Sequence, residues 1–287
     1  MDFETFVRAN EAPIRLGFFL GIFAVMALWE LAAPRRPLTQ SKGARWGNNI
    51  GLVVFNTVLL RLVFPAAAVG MALFAREQGW GVLNYFEVPY VLAVLGAVLV
   101  LDFFIWLQHV MVHAVPALWR LHRVHHADLD FDVTTGARFH PIEILLSMLI
   151  KFAVIAVLGP PVLAVILFEI LLNATSMFNH SNVRIPVGID RVLRLFVVTP
   201  DMHRVHHSVE DDETNSNFGF NLPWWDRLFG TYRDQPRGGH EGMTIGIRTF
   251  RDGKSCSWLS GMLVMPFVGK ISEYAINRRQ WSTGDED

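Results

Sequence analysis

What most limits this chain is a set of apolar runs too long for the core of a soluble domain. They cover about Ile14–Ala33, Gly47–Ala75, Pro89–Gln108 and Ile142–Phe178. A transmembrane helix needs roughly 20 mostly apolar residues, and each run reaches that length. The last is interrupted by Gly159-Pro160-Pro161. A glycine followed by two prolines ends a helix, so this run becomes a hairpin of two short spans. Of the 287 residues, 52% are hydrophobic and 18% charged, with a mean hydropathy of +0.33. A soluble domain of this size needs more charge to cover its surface. The expected fold class is all-α: a multi-pass transmembrane helical bundle of about five spans with a helical, histidine-rich cap.

Flanking charge sets the expected topology. Met1–Pro13 carries Asp2, Glu4 and Glu11 against Arg8, whereas a secretory signal starts with positive charge, so the first run reads as a retained anchor. The loop from Pro34 to Trp46 holds Arg35, Arg36, Lys42 and Arg45 and no acid, which assigns it to the cytoplasm. The next loop, with Glu77 and Glu87, falls on the opposite side. The third span then returns at His109, and the hairpin leaves after His140 and re-enters before His180. Every clustered histidine is thereby expected on the cytoplasmic face of the membrane (the inner membrane in a bacterial cell). Within the spans, Lys151 and Glu169 lie equally far from Pro160 and are expected as a structural pair rather than a proton relay. Arg61 either pairs with Asp102 or marks a second span that is kinked or partly interfacial.

The histidines carry the chemistry. Ten of the eleven fall between His109 and His207, leaving only His240, expected at the surface. His109 and His113 are four apart and share a helical face. His122-Arg-Val-His125-His126 recurs later as His203-Arg-Val-His206-His207. On a helix each pentad aims three imidazoles in one direction, and a solvated face has no reason to repeat that spacing. His140 opens the hairpin and His180 closes it; either is a helix cap or a further ligand. Cys256, the only cysteine, excludes a disulfide framework and any cysteine-ligated zinc or iron–sulfur site. No glutamate has a histidine three residues on, as soluble di-iron bundles require, and the zinc-protease His-Glu-x-x-His is absent. Eight or more imidazoles exceed the four ligands of one zinc, so two metal ions are the economical reading. Imidazole suits iron, copper, nickel and zinc alike, which leaves the metal open. Asp102, Asp201 and Asp226 are candidates to orient ring N–H groups.

With these residues in hand, the chain resembles the fatty acid hydroxylase superfamily, also called the sterol desaturase family, of membrane-bound di-iron oxygenases. The resemblance runs from about Asp102 to Tyr232. It rests on His109-x-x-x-His113, Leu118-Trp-Arg-Leu-His122-Arg-Val-His125-His126, Arg138-Phe-His140-Pro-Ile-Glu143 and Asn179-His180. It continues through Thr199-Pro-Asp-Met-His203-Arg-Val-His206-His207, Asn217-Phe-Gly and Trp225-Asp226-Arg-Leu-Phe-Gly230-Thr-Tyr232. The resemblance implies two iron ions held by His109, His113, His122, His125, His126, His140, His180, His203, His206 and His207. It implies O2 as co-substrate, hydroxylation of a lipid C–H bond, and a separate electron-donor protein. Asp102, Glu143, Asp201 or Asp226 would temper the charge of such a centre.

The expected organisation is an N-terminal transmembrane region over 1–100, a catalytic domain over 101–235 with its hairpin at 142–178, and a C-terminal cytosolic or interfacial segment over 236–287. Glu210-Asp-Asp-Glu213 is expected as a solvated turn or a guide for the electron donor. Asn217, Trp224 and Trp225 are expected to pack around the site. Ser257–Val268 is apolar but short, and lies in the interface, forms a lid or packs on the cap. The tail from Ser282 to Asp287 is expected to be disordered. A net charge of −1 gives no basis for nucleic-acid binding. Alternatives to a hydroxylase are a desaturase on the same scaffold and a non-enzymatic membrane metal-binding or transport protein.

Overall fold

The computed structural model describes residues 3–269, and every element is helical; no strand occurs among the described residues. The expected tail at 282–287 lies outside the described residues. Five helical stretches are long and apolar enough to cross a membrane. The first is α1, Glu11–Ala32. The second divides into α2, Lys42–Val63, and α3, Ala67–Glu77. Pro65 cannot continue α2, and Ala67 takes a positive φ of 49° at the break, so the expected single span is kinked there. The third is α4, Tyr90–Ala114, which runs directly into the extramembrane helix α5, Pro116–His126. The hairpin is α6, Pro141–Leu158, and α7, Val162–Asn179. Gly159 ends α6 in the left-handed region at φ 63°, and an added Cβ would lie 2.5 Å from the Trp80 carbonyl oxygen.

α7 is the central post. It packs against α1, α3 and α4, and Val162, Val165, Ile166 and Phe168 join Leu101 of α4 and Ala72 of α3 in the principal apolar core. At mid-helix, Glu169 receives Lys151 Nζ at 2.8 Å and Arg15 Nη1 at 3.0 Å. The hairpin pair expected from the sequence is therefore present, with a third member from α1. Asp102 does not meet Arg61: its Oδ2 accepts from Trp225 Nε1 at 2.8 Å.

The end of the bundle that bears the histidines is tied down by buried charge. Arg45, at the start of α2, donates to both oxygens of Asp128 at 2.8 Å and to Asp132 at 2.7 Å. Asp130 accepts from the backbone N–H groups of Thr39 and Gln40 at 2.9 and 2.8 Å. Glu30, at the end of α1, accepts from Val133 and Asn182 N–H, each at 2.7 Å. The basic 34–46 loop thus sits at the same end as the histidines.

Beyond the hairpin lie α8, Val187–Leu193; α9, Pro200–His206; α10, Trp224–Leu228; and α11, Leu259–Val264. Of the three expectations for Ser257–Val268, packing on the cap is realised by Met262 and Met265, buried against Trp119 and Leu52, although Trp258 and Phe267 remain exposed. The acidic turn is not simply solvated. Glu213 is buried and accepts from the Arg237 N–H at 2.7 Å.

Removing the Glu169 carboxylate leaves Lys151 without its partner in apolar surroundings, at a cost of about 3 kcal/mol, whereas Arg15 keeps Glu11 at 2.7 Å. Glu169→Ala is expected to lower the thermal unfolding midpoint in detergent markedly, and Lys151→Met to lower it less because Arg15 still pairs with Glu169.

Candidate metal centre

Nine of the ten clustered histidines converge, and they do so as two groups. His109, His113, His122, His126 and His206 form one, and His125, His180, His203 and His207 the other; all are buried, and within each group the candidate ligand atoms lie within 4.8 Å of one another. The end of α4 supplies His109 and His113, α5 supplies three rings, the cap of α7 supplies His180, and α9 with its cap supplies three more. Each pentad is divided rather than aimed as a unit. In α5 the i, i+4 pair His122 and His126 serves the first group and His125 the second; in α9 the pair His203 and His207 serves the second and His206 the first. The groups abut, with His126 and His207 stacked at 4.6 Å between ring centroids.

In five of the nine rings the outer nitrogen is held by oxygen. Nδ1 lies 2.7 Å from the Phe218 carbonyl in His109, 2.7 Å from the Ser216 carbonyl in His206 and 2.8 Å from the Ser176 carbonyl in His180. In His122 it lies 2.6 Å from Glu143 Oε1, and in His113 it lies 3.3 Å from Asn215 Oδ1. A ring nitrogen facing such an oxygen carries the proton, so Nε2 keeps its lone pair and points inward. Nε2 of His109, His122 and His206 is buried without a protein partner. Nε2 of His180 lies 3.2 Å from that of His125 and 3.1 Å from that of His203. His113 and His126 bring their Nε2 atoms to 3.1 Å. A contact at that distance needs Nε2–H on one ring of the pair, but the inward Nε2 atoms of His109, His122 and His206 meet no donor, and a cation among them would serve all three. A metal bound at ~2.1 Å to imidazole nitrogen spaces its ligands by ~3–4 Å, and the donor set fits.

Burial also keeps six of the rings neutral. His125, His126, His203, His206 and His207 titrate well below the ordinary histidine range, first because burial disfavours the cation and then because other imidazoles are close; His180 is lowered to about 3, mainly by burial. Rings held neutral are ready to ligate without first losing a proton.

The remaining expected site residues sit elsewhere. His140 stands outside both groups: it caps α6, its Nδ1 accepting from the Ile142 N–H at 3.2 Å and its Nε2 lying 3.3 Å from the Leu263 carbonyl. Of the four candidate carboxylates, Glu143 reaches a ring. Asp226 acts one step removed, accepting from Trp106 Nε1, Phe218 N and Thr231 Oγ1 at 3.0, 2.9 and 2.7 Å and so fixing the turn whose Phe218 carbonyl meets His109. Asp201 pairs with Arg204 and Arg35. Asp102 holds Trp225. His240, expected at the surface, is buried, with Nε2 2.9 Å from Gln235 Oε1. The sequence reading did not find the carbonyls of Ser176, Ser216 and Phe218, since a backbone acceptor leaves no residue-type signal. It also did not find Phe139, whose ring stacks on His125 at 4.5 Å.

Residues 94–231, which contain every residue of the two groups, match the sequence model of the family described as fatty acid hydroxylase. The chain carries a fatty acid hydroxylase domain. It fits the fatty acid hydroxylase superfamily, and its relatives are lipid hydroxylases and monooxygenases. It is 27% identical over 271 residues to the ornithine lipid hydroxylase OlsE of Rhizobium tropici, covering 91% of this chain and 78% of that protein. It is 31% identical over 156 residues to the alkylglycerol monooxygenase of Homo sapiens, covering 54% of this chain and 34% of that protein. The corresponding values for the Xenopus tropicalis alkylglycerol monooxygenase are 31% over 150 residues, 52% and 32%. The alignments with the alkylglycerol monooxygenases thus span about a third of those proteins' length. No solved structure matches the chain.

Two groups in the hydroxylase domain predict two ions per chain. His126→Ala and His203→Ala each remove a ring from a different group, and elemental analysis of the purified protein is expected to fall from about two ions to about one in either case. Glu143→Ala frees the His122 ring and is expected to reduce metal affinity by about 10–100-fold, whereas Glu143→Gln keeps an oxygen for Nδ1–H and loses less.

Proposed function

We propose that this protein is a membrane-bound di-iron oxygenase that uses O2 and external electrons to hydroxylate a C–H bond of a lipid. The observation that carries this reading is the pair of abutting, buried, all-imidazole groups at one end of a transmembrane bundle. Zinc has no redox chemistry, so a hydroxylase needs a different ion among those imidazole accepts. The resemblance selects iron, and the lipid hydroxylase relatives support it. The overall balance is R–H + O2 + 2 electrons + 2 protons giving R–OH + H2O. Bound iron would supply the reduction of O2 and the oxidant for the C–H bond.

The chain's own residues supply position, neutrality and dryness. His109, His113, His122, His126 and His206 would hold one ion, and His125, His180, His203 and His207 the other. Glu143 holds the proton on His122 Nδ1 and keeps the opposite lone pair aimed inward. Phe139, half-buried, covers His125, while the buried Phe220 lies 5.0 Å from the His109 ring and 5.7 Å from the His203 ring. These two phenylalanines keep water from the centre and offer apolar walls to an alkyl chain. The electrons come from a separate donor protein. The basic 34–46 loop at the same end supports a cytoplasmic centre.

The test is mass spectrometry of lipid extracts from cells with and without the protein. A lipid gaining the mass of one oxygen only when the wild-type chain is present, and not with His125→Ala, is the expected result. A species losing two hydrogens would instead make it a desaturase. Metal-loaded protein that consumes no O2 with any reductant and lipid extract would replace the enzyme reading with metal storage or transport.

A further inference from the structure

Two short cap helices are built inside out. In α8 the carboxylate faces inward: Asp190 is buried and pairs with the buried Arg194 just past the helix. Its apolar residues face outward, with Val187 71% exposed and Val192 and the following Phe196 also exposed. α10 repeats the inversion. Asp226 is 0% exposed and fully hydrogen-bonded, whereas Trp224, Leu228 and Phe229 are exposed, Leu228 at 69%. Trp224, expected to pack around the site, instead stands at the surface. The two helices are one surface: Trp224 Nε1 donates to the Leu195 carbonyl at 2.7 Å, and Arg227 Nη2 to the Arg194 carbonyl at 3.2 Å. A helix in water turns apolar residues in and carboxylates out, and two adjoining helices that both do the reverse form an exposed apolar patch needing a cover.

The position of the patch identifies that cover. The Phe229 ring stacks on Trp106 at 4.7 Å, Trp225 meets Phe103 at 5.2 Å, and the Trp225 indole reaches Asp102. These partners lie on α4 well inside its apolar run, below His109. The same helix exposes Val91, Leu95 and Leu99 further down. The outward side chains of α8 and α10 therefore continue the lipid-facing surface of a membrane span. At its rim Arg191 is exposed, where a long cationic side chain can extend toward lipid phosphates, while Arg184 pairs with Glu241 and Arg227 lies over Tyr232.

We propose that α8 and α10 form a monotopic platform that lies within the bilayer leaflet on the histidine side, its apolar residues among acyl chains and Arg191 at the headgroups. The occupant is lipid rather than water or a second copy of the chain. The inference rests on the spans alone and stands whether or not the metal centre is a hydroxylase.

Spin labels settle it. Val192→Cys and Leu228→Cys replace exposed side chains on separate helices and disturb no packing; Cys256 is buried, so the parent chain gives the labelling baseline. Leu95→Cys on α4 serves as the lipid reference and Arg237→Cys, in the cap, as the aqueous one. With the full chain in phospholipid nanodiscs, labels at 192 and 228 are expected to be broadened by O2 and protected from a water-soluble nickel chelate, as at 95. Nickel broadening equal to that at 237 would overturn the platform in favour of solvent. Spin–spin broadening between copies would overturn it in favour of an oligomer interface, and protection from both reagents without it would mean the helices are covered by the protein itself.

Discussion

The structure turns on a packing problem: nine imidazoles must be buried with their lone pairs directed at one another. Rings at 3.1–3.2 Å between Nε2 atoms can share one proton per pair, but the inward Nε2 atoms of His109, His122 and His206 meet no donor, and a cation would serve them all. Every one of them also has a second nitrogen to account for. For five rings that nitrogen is met by a carbonyl, a carboxylate or an amide oxygen, which fixes the tautomer and aims the ring. The cap around the rings is largely the scaffolding that delivers those oxygens.

That scaffolding relies on buried charge because the cap has little regular structure of its own. Long helices bring His109, His113 and His180 to the end of the bundle, but the carbonyls of Ser216 and Phe218 lie on an irregular segment between α9 and α10. Asp226 fixes that segment through three side-chain and backbone donors on one oxygen and a fourth on the other. On the opposite side, Arg45 joins Asp128 and Asp132, and Glu30 ties the ends of α1 and α7 to the same loop. Such ion pairs contribute little net stability when buried, yet each defines one geometry, and a ligand set of this kind tolerates only one.

Much of this was legible in the sequence, for reasons that differ by residue. The spans follow from apolar run length, and the hairpin from Gly159-Pro160-Pro161. Lys151 and Glu169 could be paired because a hairpin imposes a mirror about its turn. Arg15 could not, since which helix face meets α7 is decided by packing. The pentads announced a metal centre but not how they divide: i and i+4 keep one direction, whereas i+3 departs far enough from it to serve a neighbouring ion when the two ions sit close. His140 looked equivalent to His180 because both flank the hairpin. His140 precedes a proline at the start of a helix, where its ring caps the Ile142 N–H, whereas His180 ends one, and its ring is turned inward by the Ser176 carbonyl.

α4 links the two levels of the molecule. It carries Trp106, on which Phe229 of the platform stacks, and His109 and His113 of the centre. At 1.5 Å per residue the rings sit ~5–10 Å further along the helix axis than the platform contact. If α8 and α10 lie among acyl chains as proposed, the histidine groups lie close to the headgroup level and not in the bilayer core. A lipid approaching sideways then brings the carbons nearest its polar end to the histidines first. Carbons deeper in the chain can reach them only if the lipid is drawn partly out of the leaflet, past apolar walls such as Phe139 and Phe220. Under the proposed function, helix geometry on a single span thus bears directly on which part of a lipid would meet the centre.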